Sequence, residues 1–269
     1  LSCYFDGGHL NHSFLWIKTM TVHEIRSISQ VGTSEPFELQ ISRGQISGHY
    51  RVHKFGFNNL IQNSEETVWT NGGTYAYATS GENLLVSSTA GASDSGVEIT
   101  LQGVDEDYNQ IEEVFTLGSG TYTTTKSFFR SYRAFVSGSQ AATGTVNFRG
   151  GGAVVRAQIL AGDQQTLMCV WTVPAGYTAY LLQNNVTCYT EANNKFGIVR
   201  LVSRQSDGVF RTRDKHTVVL SQNAIEYPVP LPFPEKTDIE VRAIGSSSNS
   251  NLQVSASLDI VYIKNDSRL

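Results

Sequence analysis

The stretch Val97–Leu117, VEITLQGVDEDYNQIEEVFTL, constrains the fold of this chain more than any other. Apolar residues alternate with polar ones in its first half, a polar turn follows at Asp105–Asn109, and an apolar pattern then resumes. Two β-type runs joined by Asp and Asn residues predict an antiparallel hairpin. The alternation places one face of this hairpin on a core and the other in water.

Similar segments follow along the whole chain, separated by turn signals such as Asn71-Gly72-Gly73, Pro174-Ala175-Gly176 and Asp207-Gly208. One of the short strands that we predict covers Phe37–Ile41, where apolar residues alternate with polar ones. The sequence contains no amphipathic helix of three turns and no fixed-period repeat. It therefore predicts an all-β chain with little helix, of the sandwich or barrel type.

The best candidate for a domain boundary is Arg149-Gly150-Gly151-Gly152, because consecutive glycines offer no side chains to pack. It divides the chain into two consecutive antiparallel β-sandwich domains, jelly-roll-like, over residues 35–149 and 153–265. Residues 1–34 are expected to form an N-terminal extension or arm. Met20 is the first methionine, so we expect residues 1–19 to be read-through upstream of a start at Met20, and their translation in the native protein stays open.

The charge pattern bears on the partners of the chain. Charged residues make up only 16% of the sequence and the net charge is −4, and no basic run occurs. Because proteins that bind nucleic acid need clustered Lys and Arg, we predict no nucleic acid partner. Arg130, Arg133 and Arg149 are scattered and are interpreted as parts of solvated strand faces. No run of about 18 apolar residues occurs, so no membrane span is predicted.

The three cysteines, Cys3, Cys169 and Cys188, form neither a disulfide framework nor a zinc motif. Cys169 lies in an apolar run and is interpreted as a buried free thiol. A bridge between Cys169 and Cys188 is the alternative, because both lie in neighbouring strand-like runs.

We predict no cofactor and no metal. His49 and His53 would lie about 13 Å apart on a strand, too far to share one ion. Asp105, Asp107 and Asn109 alternate as calcium ligands would, but the Gly and Glu of a calcium loop are missing. A solvated hairpin tip explains them equally well, and calcium binding there stays open.

No catalytic motif is present, so we predict that the chain is not an enzyme. Glu98, Glu112, Glu113 or Asp105 could supply a carboxylate pair for glycoside hydrolysis, but nothing singles two of them out.

Trp69, Tyr75 and Tyr77 could form a platform on which a sugar stacks, although aromatic residues on strands more often belong to a core. Exposure of the three would favour a carbohydrate-binding module, and burial would favour a structural protein.

Seven stretches together resemble uncharacterised virion structural proteins of tailed marine phages, especially of the cyanophage type. The stretches are Phe37–Gly56, Glu65–Tyr75, Ile99–Leu117, Phe128–Val136, Thr172–Leu181, Asp207–Arg211 and Pro234–Ala243. Each is a strand with a turn, and their order and joint presence make the resemblance specific. It covers most of residues 35–263.

The resemblance implies a non-enzymatic phage virion protein that acts through subunit interfaces, as a capsid decoration, a head fibre or a tail accessory protein. Its expected location is the virion, and its expected partners are other virion proteins and copies of itself. The alternative is a carbohydrate-binding or adhesin-like β-sandwich module that contacts a host surface glycan. The oligomer number, the position in the particle and the host receptor stay open.

Overall fold

The computed structural model describes residues 35–191, 194–206 and 208–265, so the predictions for residues 1–34, including those on Cys3 and Met20, lie outside the described residues. The chain divides into two compact units, residues 1–47 and 48–269, which are described separately. In the first unit, Phe37–Ser42 forms helix α1. The predicted strand over Phe37–Ile41 is therefore wrong. A carbonyl at Pro36 accepts from the Leu39 and Gln40 amides and starts a helical turn, which a five-residue alternation cannot exclude.

The described part of the second unit is built from strands, which confirms the all-β prediction. The first eight are β1 (His49–Ile61), β2 (Glu66–Thr67), β3 (Leu85–Ser88), β4 (Glu98–Val104), β5 (Gln110–Thr116), β6 (Tyr122–Thr123), β7 (Arg130–Val136) and β8 (Val146–Arg149). The others are β9 (Val155–Ile159), β10 (Val170–Thr172), β11 (Tyr177–Tyr189), β12 (Gly197–Gln205), β13 (Arg211–Val218), β14 (Gln222–Phe233), β15 (Thr237–Gly245) and β16 (Leu252–Lys264). Short 3₁₀ turns lie at Gly91–Asp94 and Gly151–Ala153.

The described strands form four antiparallel sheets. Sheet 1 has the order β1-β16-β11-β14, and sheet 2 the order β10-β15-β12-β13, with β2 also paired to β15. Sheet 3 has the order β6-β3-β8-β9, and sheet 4 the order β5-β4-β7.

Two clusters of buried apolar side chains organise these sheets. The outer core joins sheet 1 to sheet 2 and includes Leu181 and Ile260 of the first and Leu201 and Val241 of the second. The inserted core joins sheet 3 to sheet 4 and includes Phe148 and Leu101. Because period-2 alternation brings every second side chain to one face, each sheet contributes one such face to its core.

The two cores do not follow one another along the chain. Strand β1 pairs with the last described strand, β16, over most of its length, so the first and last strands of the second unit are neighbours in sheet 1. Strands β8 and β9 pair across Gly150–Gly152, which therefore form a tight connection within sheet 3. The pairing of β8 with β9 thus crosses the predicted domain boundary at residues 149–153. Strands β3–β9 instead lie as an insertion between β2 and β10.

The hairpin predicted over Val97–Leu117 is confirmed. Strands β4 and β5 pair in regular register from Glu98 with Thr116 to Val104 with Gln110. Tyr108 in the turn has a φ of 66°, and the Asp105 carboxylate accepts from the Asn109 backbone amide. This local hydrogen bond is the reason why Asp and Asn favour such turns. The hairpin supplies two of the three strands of sheet 4.

Candidate functional site

The aromatic residues proposed as a sugar platform belong to the interior. Trp69 and Tyr75 are buried and Tyr77 is half-buried. The rings pack edge to face, with centroids 5.2 Å apart between Trp69 and Tyr75 and 4.7 Å apart between Tyr75 and Tyr77. A sugar ring cannot stack on them without opening the core.

In the described part of the chain, the residues considered as metal ligands or as a disulfide pair form neither a metal site nor a disulfide. Among the described residues, no group of three or more His, Cys, Asp and Glu side chains is arranged to hold a metal ion. His53 contacts the Asp259 carboxylate at 2.9 Å, and Arg51 binds the same carboxylate. Cys169 and Cys188 are free and buried, so the alternative of a bridge between them is wrong. Burial raises the pKa of the Cys169 thiol to about 12.

The candidate carboxylates are used in local contacts. The Glu113 side chain is buried and accepts from the Thr125 and Lys126 backbone amides and from the Tyr122 hydroxyl. Glu112 is its neighbour on β5 and therefore points to the opposite face of the sheet, where it accepts from Gln102. Consecutive strand residues cannot act together on one bond.

A buried cluster of charges, which we call the β15 charge cluster, lies on the face of β15 opposite the outer core. It contains Asp238, Glu240 and Arg242, which alternate with core residues along the strand. Arg130 of β7 binds both Asp238 carboxylate oxygens, at 3.0 and 3.2 Å, and is itself only 5% exposed. Arg204 binds Asp238 at 3.0 Å. Arg130 therefore joins the inserted part of the chain to sheet 2, and its interpretation as part of a solvated face is wrong.

Aromatic rings line this cluster. The guanidinium carbons of Arg130 and Arg204 lie 5.0 and 4.4 Å from the Tyr77 ring centroid, a cation–π arrangement. The Tyr77 hydroxyl donates to Glu240 at 3.2 Å. Burial, followed by the charges of Glu240 and Asp238, raises the pKa of Tyr77 well above its usual value. The hydroxyl therefore stays protonated and acts as the hydrogen-bond donor to Glu240.

A shallow groove crosses the outer face of sheet 1. Phe55 and Phe57 of β1 form one side, and hydroxyl and amide groups of Asn185, Thr187 and Ser257 lie beside them. Its volume is about 400 Å³. Apolar ring edges next to neutral hydrogen-bonding groups suit a neutral polar ligand.

Exposed apolar side chains lie at one end of sheets 1 and 2, which we call the apolar end. The C-terminal ends of β1, β11 and β13 and the first residues of β12, β14 and β16 all lie there, as their pairing requires. Its five large apolar residues range from 36% to 58% exposed, and they are Leu60, Tyr189, Phe196, Val219 and Leu220. Leu60 and Tyr189 line the same depression.

No protein-family model matches the chain, and no curated protein sequence matches it. Among solved structures, the chain is similar to the infectious bursal disease virus VP2 subviral particle, at 13% identity, with 86% of this chain and 78% of that chain covered and a TM-score of 0.23. The infectious bursal disease virus Gx strain structure gives 12% identity, coverages of 82% and 73%, and a TM-score of 0.24. At these TM-scores the chains do not superpose as one fold, so nothing about VP2 is carried over. No described helix is long and apolar enough to cross a membrane.

Proposed function

We propose that this chain is a non-enzymatic structural component of a phage virion that acts through contacts between copies of itself and with other virion proteins. The resemblance of residues 35–263 to marine phage virion proteins supports the class. We also propose that each core, enclosed between two antiparallel sheets, is a β-sandwich, with the second inserted into the first. Two β-sandwiches nested in this way present strand ends and loops as contact surfaces.

The observation that carries the proposal is Leu220 at the apolar end. This residue is 52% exposed and has a φ of 43°, in the left-handed region that a leucine adopts only at a cost of about 1 kcal/mol. Asn or Gly would fit the same turn without that cost and would be better solvated. A strained and exposed leucine does not serve the stability of the single chain, so we assign it to a contact with a second copy.

The test is the solution mass of wild type and of Leu220→Asn, measured by light scattering together with the unfolding free energy. Because Asn tolerates the positive φ, we expect the variant to be more stable by several tenths of a kcal/mol and less associated. Val114→Asn is the matched control, since Val114 is 53% exposed on β5, in sheet 4. A monomeric wild type, or equal association of wild type and both variants, would contradict the proposal.

The groove on sheet 1 supports a second candidate, a carbohydrate-binding module for a neutral glycan. Its aromatic wall and its Asn and Thr groups are the observation in favour. Glycan-array binding that Phe57→Ala abolishes, with an unchanged unfolding transition, would select this candidate. The absence of binding by wild type to any neutral glycan would exclude it.

A further inference from the structure

A small cleft lies between the end of β12, the start of β13 and the β14–β15 connection. Three arginines, Arg204, Arg211 and Arg213, contribute to its lining, and its volume is about 200 Å³. None of the lining residues in the described part of the chain is acidic. A concave site lined by charges of one sign concentrates the field and attracts ligands of the opposite sign.

The arginines of this cleft have donors to offer. Arg211 and Arg213 are exposed and form no ion pair with any described carboxylate. Arg204 donates to Asp238 through Nε, and its guanidinium lies over the rings of Tyr77 and Phe210, which holds it in place. Arg204 therefore belongs to the β15 charge cluster, whereas Arg211 and Thr237 lie on the other face of sheet 2. The exposed guanidinium groups of Arg211 and Arg213 can make a planar, two-point contact with an oxyanion.

A buried hydroxyl supplies an independent observation. Thr237 lines the cleft and is only 2% exposed, and its Oγ1 has no hydrogen-bond partner among the described residues. A buried hydroxyl without a partner is unfavourable, so such groups are rare in folded proteins. An oxyanion in the cleft would accept a hydrogen bond from this hydroxyl.

Two acidic groups near the cleft in the described part of the chain, Asp238 and Glu235, are already engaged. Asp238 is buried and accepts from Arg130, Arg204 and the Thr172 hydroxyl. Glu235, beyond Pro234, accepts from the Gly176 amide at 2.6 Å. Among the described residues, no carboxylate therefore forms an ion pair with Arg211 or Arg213 at the cleft.

We propose that this cleft binds one oxyanion group, a carboxylate, sulfate or phosphate, through Arg211, Arg213 and the Thr237 hydroxyl. The volume is below that of sites for drug-sized ligands, which suits a single charged group. The group can come from a free small anion or from the acidic substituent of a larger chain, and the chemistry of recognition is the same. This proposal does not depend on the virion assignment.

The test is isothermal titration of the full chain with sodium sulfate, phosphate and acetate, at an ionic strength held constant with chloride. We expect saturable binding of one anion per chain and a loss of roughly tenfold in affinity for Arg211→Gln or Arg213→Gln. Lys215→Gln is the matched control, because Lys215 is exposed on β13 but does not line the cleft. No saturable binding, or equal loss with Lys215→Gln, would overturn the proposal.

Thr237→Val separates binding from folding. Because it removes a buried hydroxyl that has no partner, we expect the anion-free protein to be at least as stable as wild type and the anion affinity to fall severalfold. Unchanged affinity in this variant would remove Thr237 from the site. Titration with a sulfated oligosaccharide and its neutral counterpart identifies the source. Tighter binding of the sulfated chain than of free sulfate assigns a polymer-borne group, and equal binding assigns a free anion.

Discussion

Replacement of Lys54 by methionine should stabilise the protein by an amount that depends on pH. Lys54 lies on β1, is 4% exposed, and donates from Nζ to the Tyr132 carbonyl, beside that residue's ring. Burial lowers its pKa from 10.5 to about 7; the nearby Cys169 acts to raise it and Arg133 to lower it. The side chain therefore reaches a dry interior in which its charged form is unfavourable.

The sign and size of the pH dependence of the unfolding free energy follow from proton linkage. Between pH 7 and 10.5 the unfolded chain holds a proton that the native amine lacks, so the unfolding free energy rises with pH in this window. The slope is about 1.4 kcal/mol per pH unit, and the full difference is roughly 5 kcal/mol. Below about pH 7 the native amine is charged and the whole penalty is present. The Cys169 thiol, with its raised pKa, contributes the opposite slope above pH 9.

The assay is urea denaturation of wild type and Lys54→Met at intervals from pH 6 to pH 9. The advantage of the variant should shrink by roughly 2–3 kcal/mol between pH 7 and pH 9, as wild type loses its charge penalty. Loss of the hydrogen bond to the Tyr132 carbonyl lowers the unfolding free energy of the variant by the same amount at every pH and leaves this trend unchanged. Lys215→Met is the control and should run parallel to wild type, because Lys215 is exposed. Parallel curves for Lys54→Met would refute the argument.

Four further substitutions test local contacts in the fold. Gly56→Ala should destabilise the fold by about 3 kcal/mol or more in urea denaturation, because a Cβ there would lie 2.1 Å from the Val68 carbonyl oxygen. A variant as stable as wild type would contradict this close contact between Gly56 and Val68. Asp238→Asn should cost about 3–5 kcal/mol, since it leaves two arginines without their buried partner. Asp259→Asn removes the more exposed ion pair with Arg51 and should cost under about 1 kcal/mol. Equal losses of stability for Asp238→Asn and Asp259→Asn would argue against a buried charge cluster. Asp105→Ala should cost about 1 kcal/mol, because the variant loses the hydrogen bond from the Asn109 backbone amide. A melting temperature that rises with calcium in wild type but not in this variant would instead identify the turn as a calcium-binding loop.

Local pattern was sufficient for elements whose partners are close in sequence. The Val97–Leu117 hairpin has its turn chemistry and both alternating faces within one stretch, so the hairpin could be predicted from the sequence. Prolines at 228, 230, 232 and 234 predict an edge strand or a polyproline-like run. Strand β14 does lie at the edge of sheet 1. Proline lacks the amide that a central strand needs, which makes this position predictable from composition alone.

The nested order of the cores has no local signal. His49 pairs with Ile263 and Val52 with Ile260, and nothing in either strand specifies a partner some two hundred residues away. A glycine run is equally ambiguous, because Gly150–Gly152 can link two domains or turn tightly between β8 and β9. Gly152 adopts a φ of 68°, which serves the second role.

Alternation also cannot reveal what covers the polar face of a strand. Along β15, the core residues Ile239 and Val241 alternate with Asp238 and Glu240, the pattern of a strand with one wet face. The polar face is instead buried, because Arg130 packs on it from another sheet. The charges were visible in the sequence, but only the long-range topology decides whether water or an arginine neutralises them.

Among the described strands, β14 is an edge of sheet 1 and β13 is an edge of sheet 2, and neither is suited to pairing with another chain. On β14, residues 227–230 fall outside the ladder with β11, and the prolines there have no amide to donate. On β13, Arg211, Arg213 and Lys215 would place like charges against a second copy of the same strand. Both features oppose strand addition from another chain. Under the proposed function, a second copy would therefore meet the apolar side chains around Leu220 and leave the arginine cleft beside β13 open to its anion.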